Sequence, residues 1–550
     1  MMKRGQIFLL SVFFTISLGL LSSASSKITQ TKAPLFTGMG DHHHSITTTS
    51  PLAQRYFDQG LVLAYGFNHA EAARSFREAI KLDPSCAMCN WGLAYVLGPN
   101  INANMEDDAI PESYQAIQRA LKLAKNSSPV EQAYIKALAE RYTNKVVEDR
   151  SFLDRNYADA MRKVVKNYPD DLDAATIFAE SLMDTMPWDY WTEAKQPKPE
   201  TKEVIATLES VLHRNRDHPG ANHLYIHAVE AVQPEKAIAA ADRLGTLVPG
   251  SGHLVHMPSH IYIRVGRYHD AALANQKATA VDQYYITQCH AQGVYPLAYV
   301  PHNHHFLWFA ATLKGNSKLA TKAGKNVAGM VDPAMMREPG MGTLQHFYSV
   351  PLFTMTRFGQ WDDILVIPQP DQDLKYPIGI WHYARGLAHT AKGHIEAAKQ
   401  ELQSLTALAN DPELEKVTIW DINTTQNILK VATEVLAGEI DAKQSDYDSA
   451  IAHLRQAAKL EDALNYDEPA DWSTPARQYL GAVLLDANRP IEAEQVYRED
   501  LALYPDNGWS LWGLTQSLKL QGKRSEASII QQKFNSAWRY ADIRLNNSKF

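Results

Sequence analysis

Small and apolar residues recur along this chain at a spacing typical of paired helices. The repeating unit has roughly 34 residues, and its small positions allow two helices to approach each other closely. An aromatic position fills the gap between neighbouring units, and a proline ends the second helix. We therefore predict helical hairpins from Pro51 onwards. The clearest copy begins at Ala53 and places Gly60, Ala72, Phe76, Ala79 and Pro84 at these positions.

The same landmarks return further along the chain. A unit that packs mainly on its two neighbours builds an elongated array rather than one large core. The sequence therefore predicts an all-α tetratricopeptide-repeat solenoid of helical hairpins. Two further copies carry Ala237, Ala241, Leu244 and Pro249, and Gly481, Ala493, Tyr497 and Pro505.

The pattern also divides the chain into segments. The repeats are interrupted by an aromatic and proline-rich stretch that begins with MPWDYW, and later by a stretch rich in Pro, Gly and Met. The predicted segments are a signal peptide (1–24), a polar arm with a histidine run (25–50), N-terminal hairpins (51–185), an insertion (186–205), histidine-rich hairpins (206–330), an irregular segment (331–375) and C-terminal hairpins (376–545).

The first residues have the order of a secretory signal. Lys3 and Arg4 precede an apolar run over residues 7–21, and small residues follow, with cleavage expected after Ala24. The run is short for the roughly 20 residues of a membrane span, although an uncleaved anchor is the alternative. We expect an exported protein, periplasmic or extracellular, with no membrane span in the mature chain.

Charge and cysteine content exclude some classes of function. The formal charge of −7 becomes −9 when Lys3 and Arg4 are removed, and an acidic chain without a basic block disfavours nucleic acid as a partner. Three cysteines are too few for a disulfide framework in an exported protein of this size. Cys86 and Cys89 form one C-x-x-C, for which a local disulfide, packed thiols, and a metal or redox role all stay open.

Histidines dominate the centre of the chain, where residues 213–305 hold twelve of the twenty-one. Neutral imidazole is the commonest protein ligand for a transition metal. Spacings of three and four residues put side chains on one helix face, and in this fold class that face lines the concave groove. Pro258 lies between two of the histidines, so a helix begins or kinks there. The predicted metal ligands are His223, His227, His253, His256, His260, His302, His304 and His305.

Other residues form a second group of candidates around the same site. The histidine run of the arm has no packing reason to exist in a polar segment, so we expect it to fold back towards the cluster. A polar groove that binds a peptide or a small ligand is the alternative to a metal site. The secondary candidates are His42, His43, His44, His69, Glu230, Arg264, Trp188 and Trp191, whereas His213, His269 and His290 look peripheral.

The ligand types narrow the choice of metal. Nitrogen ligands outnumber carboxylates, which disfavours calcium and magnesium, whereas copper, iron and zinc all accept imidazole. Glu230 is the only nearby candidate for a general base, and aromatic residues crowd the cluster. Both points favour a redox ion, copper first, over a hydrolytic zinc site.

Six sequence motifs stand out: HHHSITTTS, AQRYFDQGLVLAYGFNH, PWDYW, HPGANHLYIHA, HMPSHIYIRVGRY and YVPHNHHF. They resemble motifs of exported bacterial tetratricopeptide-repeat proteins of poorly defined activity. The chain is also similar to the tetratricopeptide member of cyanobacterial scytonemin-pigment pathways. That resemblance implies metal-dependent oxidative coupling of a pigment precursor, with the histidines of HPGANHLYIHA, HMPSH and HNHHF as metal ligands.

The preferred hypothesis is a metal-dependent oxidoreductase that acts on an aromatic small molecule. A scaffold that binds a peptide or protein partner and a metal-dependent hydrolase are the two alternatives. No residue of the sequence stands out as a catalytic acid or base beyond Glu230.

Overall fold

The computed structural model describes residues 32–289 and 295–550. The predicted signal peptide, the first residues of the arm and His290 lie outside these ranges. Within them the chain forms helices α1 to α25, joined by short 3₁₀ turns and one small two-stranded sheet.

The N-terminal third contains nine of the helices described. Ser50 caps the first, since its side chain accepts a hydrogen bond from the Ala53 amide, and Pro51 occupies the first turn. The helices are α1 (Pro51–Tyr65), α2 (His69–Leu82), α3 (Ala87–Val96), α4 (Ile110–Leu123), α5 (Pro129–Ala139), α6 (Ser151–Asn167), α7 (Leu172–Met183), α8 (Pro199–Arg214) and α9 (Pro219–Val229).

The middle of the chain is less regular, with helices that range from 5 to 22 residues. Pro258 starts a new helix rather than kinking a continuous one, and a π-helical turn, Tyr295–Tyr299, leads into α14. The helices are α10 (Ile238–Leu247), α11 (Gly252–His256), α12 (Pro258–Arg264), α13 (Tyr268–Cys289), α14 (Val300–Leu313), α15 (Ser317–Gly329), α16 (Gly342–Arg357) and α17 (Trp361–Leu365).

Two of these helices correct the prediction for residues 331–375, for which the sequence indicates irregular structure. Helices α16 and α17 both lie there, and α16 carries Pro351 in its interior. The proline and the neighbouring glycines hide the repeat pattern without preventing the helices, because packing against α15 and α18 supplies the stability that local propensity lacks.

The C-terminal third returns to regular hairpins. Strands β1 (Thr418–Ile419) and β2 (Asn423–Thr424) pair antiparallel ahead of α20. The helices are α18 (Lys375–Ala391), α19 (Ile395–Ala409), α20 (Thr425–Lys443), α21 (Tyr447–Asp462), α22 (Ala476–Asp486), α23 (Pro490–Leu503), α24 (Gly508–Leu520) and α25 (Arg524–Ala537).

The repeat landmarks pack as their spacing predicts. Phe76 lies between Gly60 and Gly92, and a Cβ added at these glycines would come within 2.8 and 2.3 Å of its ring. Tyr497 lies in the same way between Gly481 and Gly513, where the distances are 2.4 and 2.1 Å. In both places one aromatic side chain joins a unit to the next. The prediction of an all-α tetratricopeptide-repeat solenoid is confirmed.

Contacts between distant hairpins close the array on itself. Helix α1 packs against α9, and the Asn102 amide donates to the Tyr299 hydroxyl at 3.1 Å. On the other side, the Trp509 indole donates to the Thr312 carbonyl at 3.2 Å. The centre of the array is therefore filled rather than open, and the predicted concave groove lined by histidines is a buried interior.

No helix within residues 32–289 and 295–550 is long and apolar enough to cross a lipid bilayer.

Candidate metal centre

Six of the eight predicted ligands meet in this interior. His223 and His227 come from α9, His253 and His256 from α11, His260 from α12 and His302 from α14. They form two groups of three whose nitrogens lie within 4.8 Å of one another. We call them group A (His223, His227 and His253) and group B (His256, His260 and His302).

Close nitrogen pairs mark each group. Nε2 of His223 lies 3.2 Å from Nε2 of His253 in group A. Nε2 of His256 lies 2.9 Å from Nε2 of His260 in group B. Two lone pairs that face each other at these distances repel, so each contact needs either a proton on one of the two nitrogens or a metal ion between them.

Hydrogen bonds on the opposite ring edges orient these nitrogens. Nδ1 of His223 lies 2.5 Å from the Tyr65 carbonyl, and a carbonyl can only accept, so Nδ1 carries the proton. Nδ1 of His256 lies 2.6 Å from Oδ1 of Asn275, whose amide nitrogen donates to the Ala271 carbonyl at 2.8 Å. Both Nε2 atoms are left free to bind a metal, as in metal sites whose histidines donate their other N–H to a fixed acceptor.

A buried carboxylate connects the two groups. Glu230 places one oxygen 3.1 Å from Nδ1 of His227 and the other 2.8 Å from Nδ1 of His260. Glu468 adds a second carboxylate 3.0 Å from the same nitrogen of His260. Glu230 thus holds His227 of group A and His260 of group B, and Glu468 also holds His260. Because both acids contact the Nδ1 edge of these rings, the Nε2 atoms face inward.

Electrostatics keep most of the cluster neutral. Burial lowers the pKa values of His223, His253, His256 and His302 well below 6.5, so these imidazoles are in the form that binds metals. Burial also lowers the pKa of His260, but the charges and hydrogen bonds of Glu230 and Glu468 outweigh it and raise that pKa to about 10. In the metal-free chain a proton on His260 therefore occupies the contact with His256.

Aromatic residues surround the cluster. Phe67 stacks on His227 with ring centroids 5.9 Å apart, and Tyr299 meets His253 edge-on at 4.8 Å. Phe306 packs on His260 at 4.5 Å. Trp188 meets His227 edge-on at 5.2 Å and is still 41% exposed, so it lies at the border between the cluster and solvent.

Two predicted ligands do not reach the cluster. A helix turns by about 100° per residue, so Phe306 follows His302 on the inward face while His304 and His305 point elsewhere. His305 stacks on Trp308 and meets His346 of α16 at 5.5 Å. His304 lies near Lys322, and burial together with that charge lowers its pKa to about 4. Neither His304 nor His305 is therefore a ligand of the cluster.

The arm folds back, as expected, but onto a different partner. Nε2 of His42 lies 3.0 Å from Asp173, and Nδ1 of His44 lies 2.8 Å from its other oxygen. His218 and the Tyr65 hydroxyl contact the same carboxylate at 3.1 and 2.6 Å. We call this group the arm latch.

Proton positions distinguish the arm latch from the central groups. Nδ1 of His218 accepts from the Ala221 amide at 3.2 Å, so its proton sits on Nε2 and points at Asp173. Donors thus converge on a carboxylate that they fully satisfy, whereas in groups A and B a ring nitrogen faces another ring nitrogen. Although its residues could in principle surround an ion, the latch is complete as a hydrogen-bond network.

The remaining secondary candidates lie outside the cluster, with Arg264 nearest. Its Nε is 3.8 Å from Glu468, and its guanidinium lies over the Tyr466 ring at 5.3 Å. His43 contacts Asp58 in the exposed part of the arm. Trp191 donates to the Ala228 carbonyl at 3.1 Å, and His69 lies 3.4 Å from Asn100.

Cys86 and Cys89 are joined by a disulfide at the start of α3. The bonded sulfurs have no role as thiolate ligands.

Sequence reasoning missed Asn275 and Glu468, which orient ligands, and Asp173, which holds the arm latch. Glu468 stands in the stretch YDEPADW, where three acids interrupt a helical array, and that unusual placement is the one signal that could have indicated it. The assumption that Glu230 is the only acid near the cluster is corrected by Glu468.

Comparisons with known proteins find distant structural similarity only. No protein-family model matches the chain, and no curated protein matches it. Among solved structures, the Cut9–Hcn1 hetero-tetramer of the APC/C shares 15% identity over 85% of this chain and 76% of that chain, with a TM-score of 0.31. A human IFIT1 dimer with m7Gppp-AAAA shares 14% identity over 90% and 92%, with a TM-score of 0.30. The P58(IPK) TPR domain shares 12% over 86% and 99%, with a TM-score of 0.23. Similarities of this size carry no inference about ligands or activity.

Proposed function

We propose that this chain is a metal-dependent oxidoreductase whose transition-metal centre is the histidine cluster of groups A and B, acting on an aromatic small molecule. The observation that carries the proposal is the facing of Nε2 atoms at 3.2 and 2.9 Å, with the opposite edges of the rings held by a carbonyl, an amide and carboxylates. Two ligands of a tetrahedral ion at roughly 2.0–2.1 Å stand about 3.3 Å apart. The spacing in the cluster is close to that value.

A redox role is favoured over zinc hydrolysis by the position of the acids. A general base has to reach a metal-bound water on the Nε2 side of the ligands. Glu230 and Glu468 both act on the Nδ1 edge of His260, and the two oxygens of Glu230 are divided between His227 and His260. They orient ligands instead of activating water, and the ligand set that remains is imidazole, which copper and iron accept.

An aromatic substrate is favoured by the residues at the border of the cluster. Trp188 is 41% exposed and contacts His227, while Trp420 is 36% exposed and meets His302 edge-on with ring centroids 6.1 Å apart. Exposed indoles next to a buried centre offer flat surfaces on which a planar molecule can stack.

The test is reconstitution of the metal-free protein. After chelation and dialysis, Cu²⁺, Fe²⁺ and Zn²⁺ are added singly, and oxidation of phenols and indoles is followed by absorbance and oxygen uptake. We expect activity with copper or iron alone, and its loss in the His256→Ala/His260→Ala double variant. His213→Ala, which changes an exposed histidine on α8, is the matched control and should keep full activity.

Two other outcomes contradict the oxidoreductase. Hydrolysis restored by zinc assigns the centre to the hydrolase class. If no metal binds at micromolar concentration, the cluster is a packed interior and the metal proposal is wrong.

A scaffold for a peptide or protein partner is the second candidate. The fold supports it, and a cleft of about 400 Å³ lies between α21, α22 and α23, lined by charged side chains that include Arg455, Asp462, Arg477 and Glu499. Partner binding by this cleft would survive chelation, because it lies on helices that contribute no histidine to the cluster.

A further inference from the structure

We infer that the cluster holds two metal ions, one in group A and one in group B, joined through Glu230. This inference rests on the proposed function and specifies the composition of its centre. Either group alone has the three imidazole ligands that an ion needs when its fourth position stays open for water or substrate.

Group A is a complete set of three. The rings of His223 and His253 lie 4.9 Å apart, and His227 lies 4.8 Å from His223. Nε2 of His227 has no hydrogen-bond partner within residues 32–289 and 295–550, although it is buried. A buried nitrogen without a partner is destabilising, and an ion shared with His223 and His253 would satisfy it.

Group B has the same arrangement, and its His256 lies about one helical turn after His253 of group A. The rings of His256 and His260 lie 4.8 Å apart, and His302 lies 5.0 Å from His256. Nδ1 of His302 is buried and has no hydrogen-bond partner in the part of the chain that the structure describes. The third ligand comes from α14, so the group ties three helices together.

A single ion cannot serve all six histidines. Metal–nitrogen bonds of roughly 2.0–2.1 Å need nitrogens that lie close to one another, and the all-histidine sets in the described chain whose nitrogens lie within 4.8 Å of one another are the two groups of three. The nearest rings across the boundary, those of His227 and His260, have centroids 5.6 Å apart and meet edge to face. Their Nδ1 edges turn towards Glu230, so their Nε2 atoms point into different groups.

Glu230 connects the two proposed metal sites. Its carboxylate contacts His227 of group A and His260 of group B, one oxygen to each. One negative charge buried between two sites that hold cations offsets part of their mutual repulsion. A carboxylate that bonds the N–H of a ligand also raises the basicity of that ligand, here for both groups at once.

The test is the number of ions bound per chain. Metal-free full-length protein is titrated with Cu²⁺ and separately with Zn²⁺, and bound metal is measured by mass spectrometry of digested samples after desalting. We expect two ions per chain. His223→Gln and His256→Gln should each keep one, and His213→Gln, the exposed control, should keep two.

A second readout identifies the pair directly. Electron paramagnetic resonance of the fully loaded copper protein should show spin coupling between neighbouring ions, while each single variant should show an isolated Cu²⁺ signal. Circular dichroism checks that the variants remain folded, and the stoichiometry of the unsubstituted chain decides the question even if they do not.

The possible failures can be told apart. One ion per chain, lost equally in both variants, overturns the two-ion inference and leaves the metal-dependent oxidoreductase in place. No bound ion removes both.

Discussion

At the residue scale, the position of a single proton separates a metal ligand from a packed histidine. His218 and His223 are five residues apart on neighbouring turns, and both are buried. His218 accepts at Nδ1 and donates from Nε2 to Asp173, whereas His223 donates from Nδ1 to a carbonyl and leaves Nε2 free. Spacing along the chain does not distinguish them, because the difference lies in the acceptor that each ring meets.

Glycine packing gives a prediction at the same scale. In Gly92→Ala the new Cβ would come within 2.3 Å of the Phe76 ring, and overpacking of this kind destabilises a fold by roughly 1 to 3 kcal/mol. We expect the free energy of unfolding in urea to fall by that amount, with metal content unchanged.

Gly329→Ala is the control for that substitution. Gly329 ends α15 and has no atom within 4 Å of an added Cβ, so alanine should be neutral or stabilise the fold by roughly 0.4 to 1 kcal/mol. Equal losses in the two variants would mean that contact with Phe76 does not account for the effect.

At the element scale, the arm is an additional layer fastened to the first hairpins by the arm latch. Asp173 receives hydrogen bonds from His42 and His44 of the arm and from His218 of α9. Backbone contacts extend the attachment, since the Gly250 amide donates to the Gly38 carbonyl at 2.8 Å. The arm therefore joins the first hairpin to the helices that carry group A.

Asp173→Asn should loosen the arm while leaving the metal centre intact. An amide cannot accept all these hydrogen bonds, and breaking a buried charged pair costs about 3 to 5 kcal/mol. We expect faster cleavage after the exposed Lys32 by a lysine-specific protease, with the metal content of the wild type.

Asp170→Asn is the matched control, because the Asp170 side chain is 99% exposed. A loss of metal in Asp173→Asn, with none in Asp170→Asn, would place the latch within the metal centre and contradict the separation argued above.

The latch also predicts a pH dependence. Burial lowers the pKa of His44, but Asp173 outweighs it and raises that pKa above 6.5. Burial raises the pKa of Asp173, but its hydrogen bonds from His218, His42 and His44 bring it well below its usual value. The stabilisation from His44 is complete below about pH 6.5 and is lost as the pH rises through its folded pKa, while that from Asp173 is present above about pH 4.

The latch should therefore be strongest between about pH 4 and 6.5. The measurement is the difference in free energy of unfolding between the wild type and His44→Gln across pH 5 to 9. We expect the difference to be largest near pH 5 to 6 and to shrink above pH 8. A difference that grows with pH would show that the charged pair does not hold the arm.

At the scale of the whole molecule, the sequence predicts contacts within neighbouring units but not the contacts made when the array closes. Gly60, Phe76 and Gly92 lie within neighbouring units, so their packing follows from spacing alone. The shared faces of His223 with His227, and of His256 with His260, follow from helix geometry in the same way.

Repeat spacing and helix geometry do not predict the contacts that form when the array closes on itself. Glu468 meets His260 from more than two hundred residues downstream, and Tyr65 offers its carbonyl to His223 from 158 residues upstream. These pairs depend on the curvature of the array, which sums small rotations over many hairpins and has no local signature.

The contacts that close the array also restrict which changes such a protein can accept during evolution. An open solenoid tolerates duplication or loss of a hairpin, because each unit needs only its neighbours. Here Thr312 bonds Trp509, and the amide of Ser317 bonds Asp542 at 2.7 Å. A hairpin inserted between these partners would move one away from the other, and the array could no longer close. Lineages that retain the closure should therefore vary by substitution and at exposed loops, with a fixed number of hairpins between α14 and α24.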